Sequence, residues 1–184
     1  MSLLKSIGGK KVNFDFNKDF LSIFTDKIKT SDIKFINQTL KDLHPSDVAN
    51  LIENLSVEIR AKLIEIEEFN IDPEIFVEIN ESIQTEVLQL LSTDSIAKIL
   101  KRLESDNSIA ILENLEEKKK IAVLDKLPPK DRFLLEEGLS YPEDSAARIM
   151  QREFAAVPSN WTVGQTIDYL RENKDLPEEF LEIF

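Results

Sequence analysis

Leu43, Leu55, Ile79, Leu91, Leu103, Leu115, Leu127 and Leu139 fall on one phase of a twelve-residue period, broken only at Glu67. A second phase holds Leu51, Leu63, Ile75, Val87, Ile99, Ile111, Val123 and Leu135. A third holds Ile52, Ile64, Phe76, Leu88, Leu100, Leu112 and Leu124, and fails at Glu136. These phases stand three or four residues apart, so each period carries one apolar helical stripe. Twelve residues suffice for a helix of eight or nine, roughly 12–14 Å long, and a chain reversal. Helices this short do not hold alone and must bury their stripes on one another. The period therefore predicts a mostly α fold: a right-handed, armadillo-like α-solenoid of short antiparallel helices.

The junctions carry matching signals. Ser56, Asn80, Ser92 and Ser105 are candidate N-caps. Pro45, Pro73 and Pro129 suit first helical turns, where no backbone donor is needed. Before the repeat, Phe14, Phe16, Phe20, Leu21, Phe24 and Ile28 predict a helix that covers the end of the array, with Asn17 as its cap. Thr30 or Ser31 is then expected to cap a second helix through Ile33, Ile36, Leu40 and Leu43. The weakest join is expected near Glu68–Asp72, where Glu67 replaces a core leucine. Gly138 reads as a helix C-cap that ends the repeat.

Charge and composition exclude several functions. The formal net charge is −12, so phosphate backbones are repelled over most of the surface and nucleic-acid binding is not expected. Hard cations or a basic partner fit this surface better. There are no cysteines, which removes disulfides, zinc–thiolate sites and thiol nucleophiles. His44, the sole histidine, sits beside Pro45 and reads as a turn residue. No nucleophile, base or glycine-rich phosphate loop can be assembled, so an enzyme is not expected. Lys118–Lys120 reads as a solvated helix start.

After Gly138 the pattern changes. Tyr141–Met150 reads as a linker into a short helix capped by Asp144 or Ser145. Phe154–Val157 reads as a brief strand, Thr162 as the cap of a helix through Val163, Ile167 and Leu170, and Leu181–Phe184 as a second strand. Trp161 and Tyr169 read as packing residues. The segment Ile149-Met150, Phe154–Val157 and Trp161-Thr162-Val163-Gly164-Gln165-Thr166-Ile167 resembles the opening of a cystathionine-β-synthase-type (CBS) module, an α/β fold of which about half would be present.

A twelve-residue helical repeat containing Leu43-His44-Pro45-Ser46-Asp47-Val48-Ala49, then Tyr141-Pro142-Glu143-Asp144-Ser145-Ala146 and a CBS start, resembles the cytoplasmic region of the MgtE-type magnesium transporters. The resemblance covers roughly Asp32–Phe184. It implies a helical domain over 1–139, a linker over 140–152 and a truncated CBS start over 153–184. One departure is plain: the family usually carries two glycines where this chain has Ala147 and Arg148. That substitution bears on whether the junction can flex.

The resemblance further implies a cytoplasmic, Mg2+-sensing regulatory domain on the inner face of the inner membrane. Its partners would be the protein's own CBS and transmembrane domains in a homodimer. Because that dimer forms largely through complete CBS modules, the present chain could stand as a monomer. Bridging Mg2+ would draw the helical domain onto the CBS pair, with Glu74 and Asp106 as its metal-contacting carboxylates. A third carboxylate position of the family falls on Ala110, which has no ligand oxygen. Two other readings stay open: a soluble CBS-linked protein, and an interaction scaffold like the middle domain of flagellar motor switch proteins. The CBS-like tail speaks against the latter. The first reading expects the gene to continue into a complete CBS pair and apolar spans.

Overall fold

Asn17 opens the first helix, its side-chain oxygen accepting the Phe20 amide at 2.8 Å. The computed structural model describes residues 16–67, 72–173, 176 and 183–184, and gives no side-chain placement for Glu67. Helix α1 (Lys18–Lys29) buries Phe24 and Ile28. Phe16, Phe20 and Phe24, one turn apart, stack in series with centroids 5.1 and 6.0 Å apart. Thr30 closes α1 by donating its hydroxyl to the carbonyls of Asp26 and Lys27. Ser31 then takes a left-handed φ of 54°. Neither residue caps α2 (Ile33–Lys41), as the sequence suggested; Asp32 does, accepting the Phe35 amide at 3.2 Å. The Lys27 ammonium, 2.7 Å away, together with that amide, holds the Asp32 carboxyl below its usual pKa.

The repeat follows as α3 (Pro45–Glu53), α4 (Val57–Glu67), α5 (Ile75–Glu78), α6 (Glu81–Leu90), α7 (Thr93–Leu100), α8 (Ser105–Glu113), α9 (Glu117–Leu124) and α10 (Pro129–Ser140). Pro45 and Pro129 occupy first helical turns as expected. Asn80 and Ser92 cap α6 and α7. Ser56 hydrogen-bonds the Glu58 carboxylate and helps hold it below its usual pKa. Two expectations shift. Pro73 lies in the turn before α5, whose first amides donate to Asp72 and Pro73 carbonyls. Ser105 is the first residue of α8 rather than its cap, because its hydroxyl is engaged by a later segment. The loose join expected near Glu68–Asp72 falls mainly on 68–71, outside the described residues.

The twelve-residue ladder is the core. All eight positions from Leu51 to Leu135 on the second phase are no more than 5% exposed. Ile52, Ile64, Phe76, Leu88, Leu100, Leu112 and Leu124 are buried as well. Leu43 and Leu139, at the ends of the series, are half-buried, and Glu136 is exposed. The chain forms two compact units, Met1–Leu91 and Ser92–Phe184. Within the first, α3 packs on α5, α4 on α6, and α1 on α2 and α4. Within the second, α7 packs on α9 and α8 on α10. From α3 on, each of these pairs joins a helix to the next but one within its unit, whereas α1 meets its immediate neighbour α2.

A polar position inside this ladder escaped the sequence reading. Arg60, Gln84 and Ser108 stand 24 residues apart and are all buried. Each donates to the carbonyl eight residues back: Arg60 to Ile52 (3.2 Å), Gln84 to Phe76 (2.6 Å) and Ser108 to Leu100 (3.1 Å). Those carbonyls lie at or near the ends of α3, α5 and α7, where no intrahelical donor remains. At the other steps of this phase Val48 and Ile96 are buried and apolar, Asp72 is exposed and Lys120 is half-buried. Buried polar side chains that bond a preceding helix thus recur three times at a spacing of 24, one helix pair.

Gly138 does not end α10. It lies inside the helix, buried, two residues before its last residue. A Cβ there would sit 2.2 Å from Ile109 Cδ1 and 3.1 Å from Arg152 Nη1. The glycine permits close approach of α8 and α10. Gly138→Ala gains up to about 1 kcal/mol of helix propensity. It forces the buried Ile109 aside, which costs about 1–3 kcal/mol. We expect net destabilisation, read as a lower urea midpoint with an unchanged slope.

Beyond α10 the short helix expected at Asp144 or Ser145 is a pair of turns, closed by Ser145 N–H to Pro142 and Arg148 N–H to Ser145. Helix α11 (Val163–Glu172) opens with a full capping box between Thr162 and Gln165. Trp161 meets Tyr169 edge-on at 5.2 Å. The two expected strands reduce, among the described residues, to one parallel bridge between Ala155 and Ile183. It is flanked by Phe184 N–H to Ala155 O (2.9 Å) and Val157 N–H to Phe184 O (2.7 Å). Residues 181 and 182 of the second strand lie outside the described residues.

Candidate cation-contact residues

Glu74 immediately precedes α5 and is exposed. Its amide donates to Asp72 Oδ1 at 3.2 Å, and its own carboxylate makes no capping bond. The turn built by Asp72 and Pro73 thus fixes the Glu74 backbone and leaves the carboxylate facing water. Asp106 lies in the first turn of α8 and is half-buried. Its Oδ1 accepts the Asn107 amide at 2.8 Å, which offsets the positive helix start. Ala110, one turn further along the same helix, is exposed and offers no oxygen.

The two candidates belong to different units, Glu74 to the first and Asp106 to the second. Among the described residues no group of three or more His, Asp or Glu side chains could hold a metal ion. Magnesium needs no such cage: it keeps several waters and takes one or two protein carboxylates. The exposed Glu74 carboxylate suits that mode. Asp106 suits it with one oxygen already engaged.

The remaining sequence candidates are structural. His44 caps α3, its Nδ1 accepting the Ser46 amide at 3.3 Å. Lys118 is exposed in the first turn of α9, Lys120 pairs with Glu117 at 3.3 Å, and partial burial lowers the pKa of Lys119. Two contacts were missed. Arg148 is buried and pairs with Glu113, and Glu153 reaches Ser105. The only advance sign of the first was an arginine where the resembled family keeps a glycine.

Fold and site together define a mostly helical repeat domain bearing isolated surface carboxylates. The chain belongs to the MgtE intracellular N domain family, whose model matches residues 43–144, more than half of the sequence. Among solved structures it is similar to the soluble part of a magnesium transporter, with 20% identity and a TM-score of 0.67 over 89% of this chain and 65% of that one. It is also similar to the cytosolic domain of the Mg2+ channel MgtE in complex with ATP, with 24% identity and a TM-score of 0.70 over 82% of this chain and 62% of that one. At these identities the likeness shows the fold. The chain spans less than two thirds of either structure. No curated protein sequence matches it. Among the described residues no helix is long and apolar enough to cross a membrane.

Proposed function

We propose that this chain is the Mg2+-sensing regulatory region of a magnesium transporter or channel, acting on the cytoplasmic side of the membrane without catalysing a reaction. The family match over 43–144 carries the reading. The twelve-residue period favours a right-handed solenoid over 1–139, and the next-but-one packing seen within each unit agrees with stacked helix pairs. The parallel bridge and the capped α11 support a CBS start over 153–184, joined through 140–152. The partners are then the protein's own CBS and transmembrane domains, in a homodimer.

The mechanism follows from charge. An acidic helical surface and an acidic CBS surface repel when they approach. Each close pair costs about 1–4 kcal/mol at 4 Å, according to the effective dielectric. A hydrated Mg2+ between two carboxylates reverses that sign. Glu74 and Asp106 supply the helical side of such bridges. Rising Mg2+ then selects the closed arrangement through its higher affinity for that state.

The test is small-angle scattering of a protein carrying this chain with a complete CBS pair, titrated with MgCl2 into the millimolar range. We expect the radius of gyration to fall, and the midpoint to move to higher Mg2+ in Glu74→Gln and Asp106→Asn. Scattering that does not change across the titration rejects sensing. A shift that both variants leave untouched keeps the sensing and rejects these two residues.

A further inference from the structure

The segment that follows α10 is fastened to the helices by polar bonds at both ends. At the near end, Arg148 is 7% exposed and its Nε meets Glu113 Oε1 of α8 at 2.5 Å. Its Nη1 donates to the carbonyls of Gly138 (3.1 Å) and Tyr141 (3.3 Å) at the end of α10. One guanidinium thus serves two helices and the start of the linker. At the far end, the Glu153 carboxylate accepts both the amide (3.2 Å) and the hydroxyl (2.8 Å) of Ser105. The Ser105 hydroxyl in turn accepts the Arg152 amide at 3.0 Å. Glu104, the residue in the cap position of α8, makes no side-chain capping bond. Glu153 therefore caps α8 from 48 residues away. Between the two ends, Arg152 ties the strap to itself, through the Ala147 carbonyl at 2.9 Å and the Tyr141 ring at 5.5 Å.

The two ends differ in kind. Arg148 is itself out of water, although its partner Glu113 is exposed, so releasing it would leave a buried guanidinium without its carboxylate and helix-end carbonyl acceptors. Glu153 is only part-buried, and its carboxylate can exchange the Ser105 donors for water at little cost. Apolar side chains add little there: Ile149 is 74% and Phe154 54% exposed. We propose that residues 141–153 form a two-point latch, permanently riveted by Arg148 and releasable at Glu153, which decides whether the chain beyond it travels with α8. The junction is then a pivot with one fixed end. The device is independent of which ion the protein senses.

Amide hydrogen exchange followed by NMR on the whole chain tests it, in wild type, Glu153→Ala, Arg148→Gln and the exposed control Glu143→Ala. In Glu153→Ala, which removes the acceptor of both Ser105 donors, we expect exchange at Ser105 and Arg152 to rise about tenfold or more, while the Arg148, Ile111 and Leu112 amides keep their protection. Arg148→Gln should loosen the Arg148, Ser105 and Arg152 amides together. Should Arg148→Gln fail to fold, Glu153→Ala decides alone, with Ser105→Ala as its counterpart from the other side of the contact. Unchanged exchange at Ser105 and Arg152 in Glu153→Ala overturns the latch. Equal loosening of Arg148 and Arg152 in that variant overturns the fixed end.

Discussion

Arg60→Ala is expected to remove about 3–5 kcal/mol of stability, near the range for breaking one side of a buried ion pair. Arg60 is 5% exposed and grips Glu86 with two parallel bonds of 2.9 Å. Its third nitrogen reaches the carbonyls of Ile52 and Leu55, the latter at 2.8 Å. Truncation takes the guanidinium from the Glu86 carboxylate, which is 27% exposed, and from the Leu55 carbonyl, while Ile52 keeps the Leu55 amide at 3.2 Å. Against a total of about 5–15 kcal/mol for a domain, such a loss is large. Glu86→Gln should cost less, because Arg60 keeps its carbonyl acceptors. Arg60→Gln should recover roughly 1 kcal/mol of the alanine loss by copying what Gln84 does one helix pair later. Urea unfolding of the four proteins checks the order. Equal midpoints for Arg60→Ala and wild type would show that the grip contributes nothing.

Leu112→Ala should cost about 2–5 kcal/mol, the usual penalty for a truncated core leucine with its residual cavity. Leu112 is wholly buried in α8. Leu124, one period later on the same phase, is 7% exposed, so Leu124→Ala should cost less. The comparison is informative because both residues are leucines at equivalent steps of one repeat. Any difference then measures how far each position can relax into the space left behind. Circular dichroism during urea titration reads both; a loss at Leu112 below about 1 kcal/mol would place it outside the packed core.

The helical repeat was legible because its cause is local and periodic. Burial of a stripe every twelve residues requires leucine, isoleucine or valine at fixed steps, and the chain supplies them from Leu51 to Leu135. Side-chain caps at Asn17, Asn80, Ser92 and Thr162 were legible for the same reason, since each acts within three residues. What the sequence concealed is long-range. Ser105 has the chemistry of a cap but spends its hydroxyl on Glu153, 48 residues ahead. Gly138 has the chemistry of a helix end, yet the side chain it makes room for is Ile109 on another helix. Arg60 looks like any helix-surface arginine until the α3 carbonyls and Glu86 surround it. Glu74 and Asp106 were named through family resemblance, and local geometry adds only that one is open to water and the other half-committed.

Arg60, Gln84 and Ser108 each tie a helix to the chain eight residues earlier. Apolar burial tolerates a small slip of one rod along another, whereas a hydrogen bond is lost by it. A chain stripped of these three bonds would keep its oily stripes and still collapse, but with less to hold each rod at one fixed offset from its predecessor.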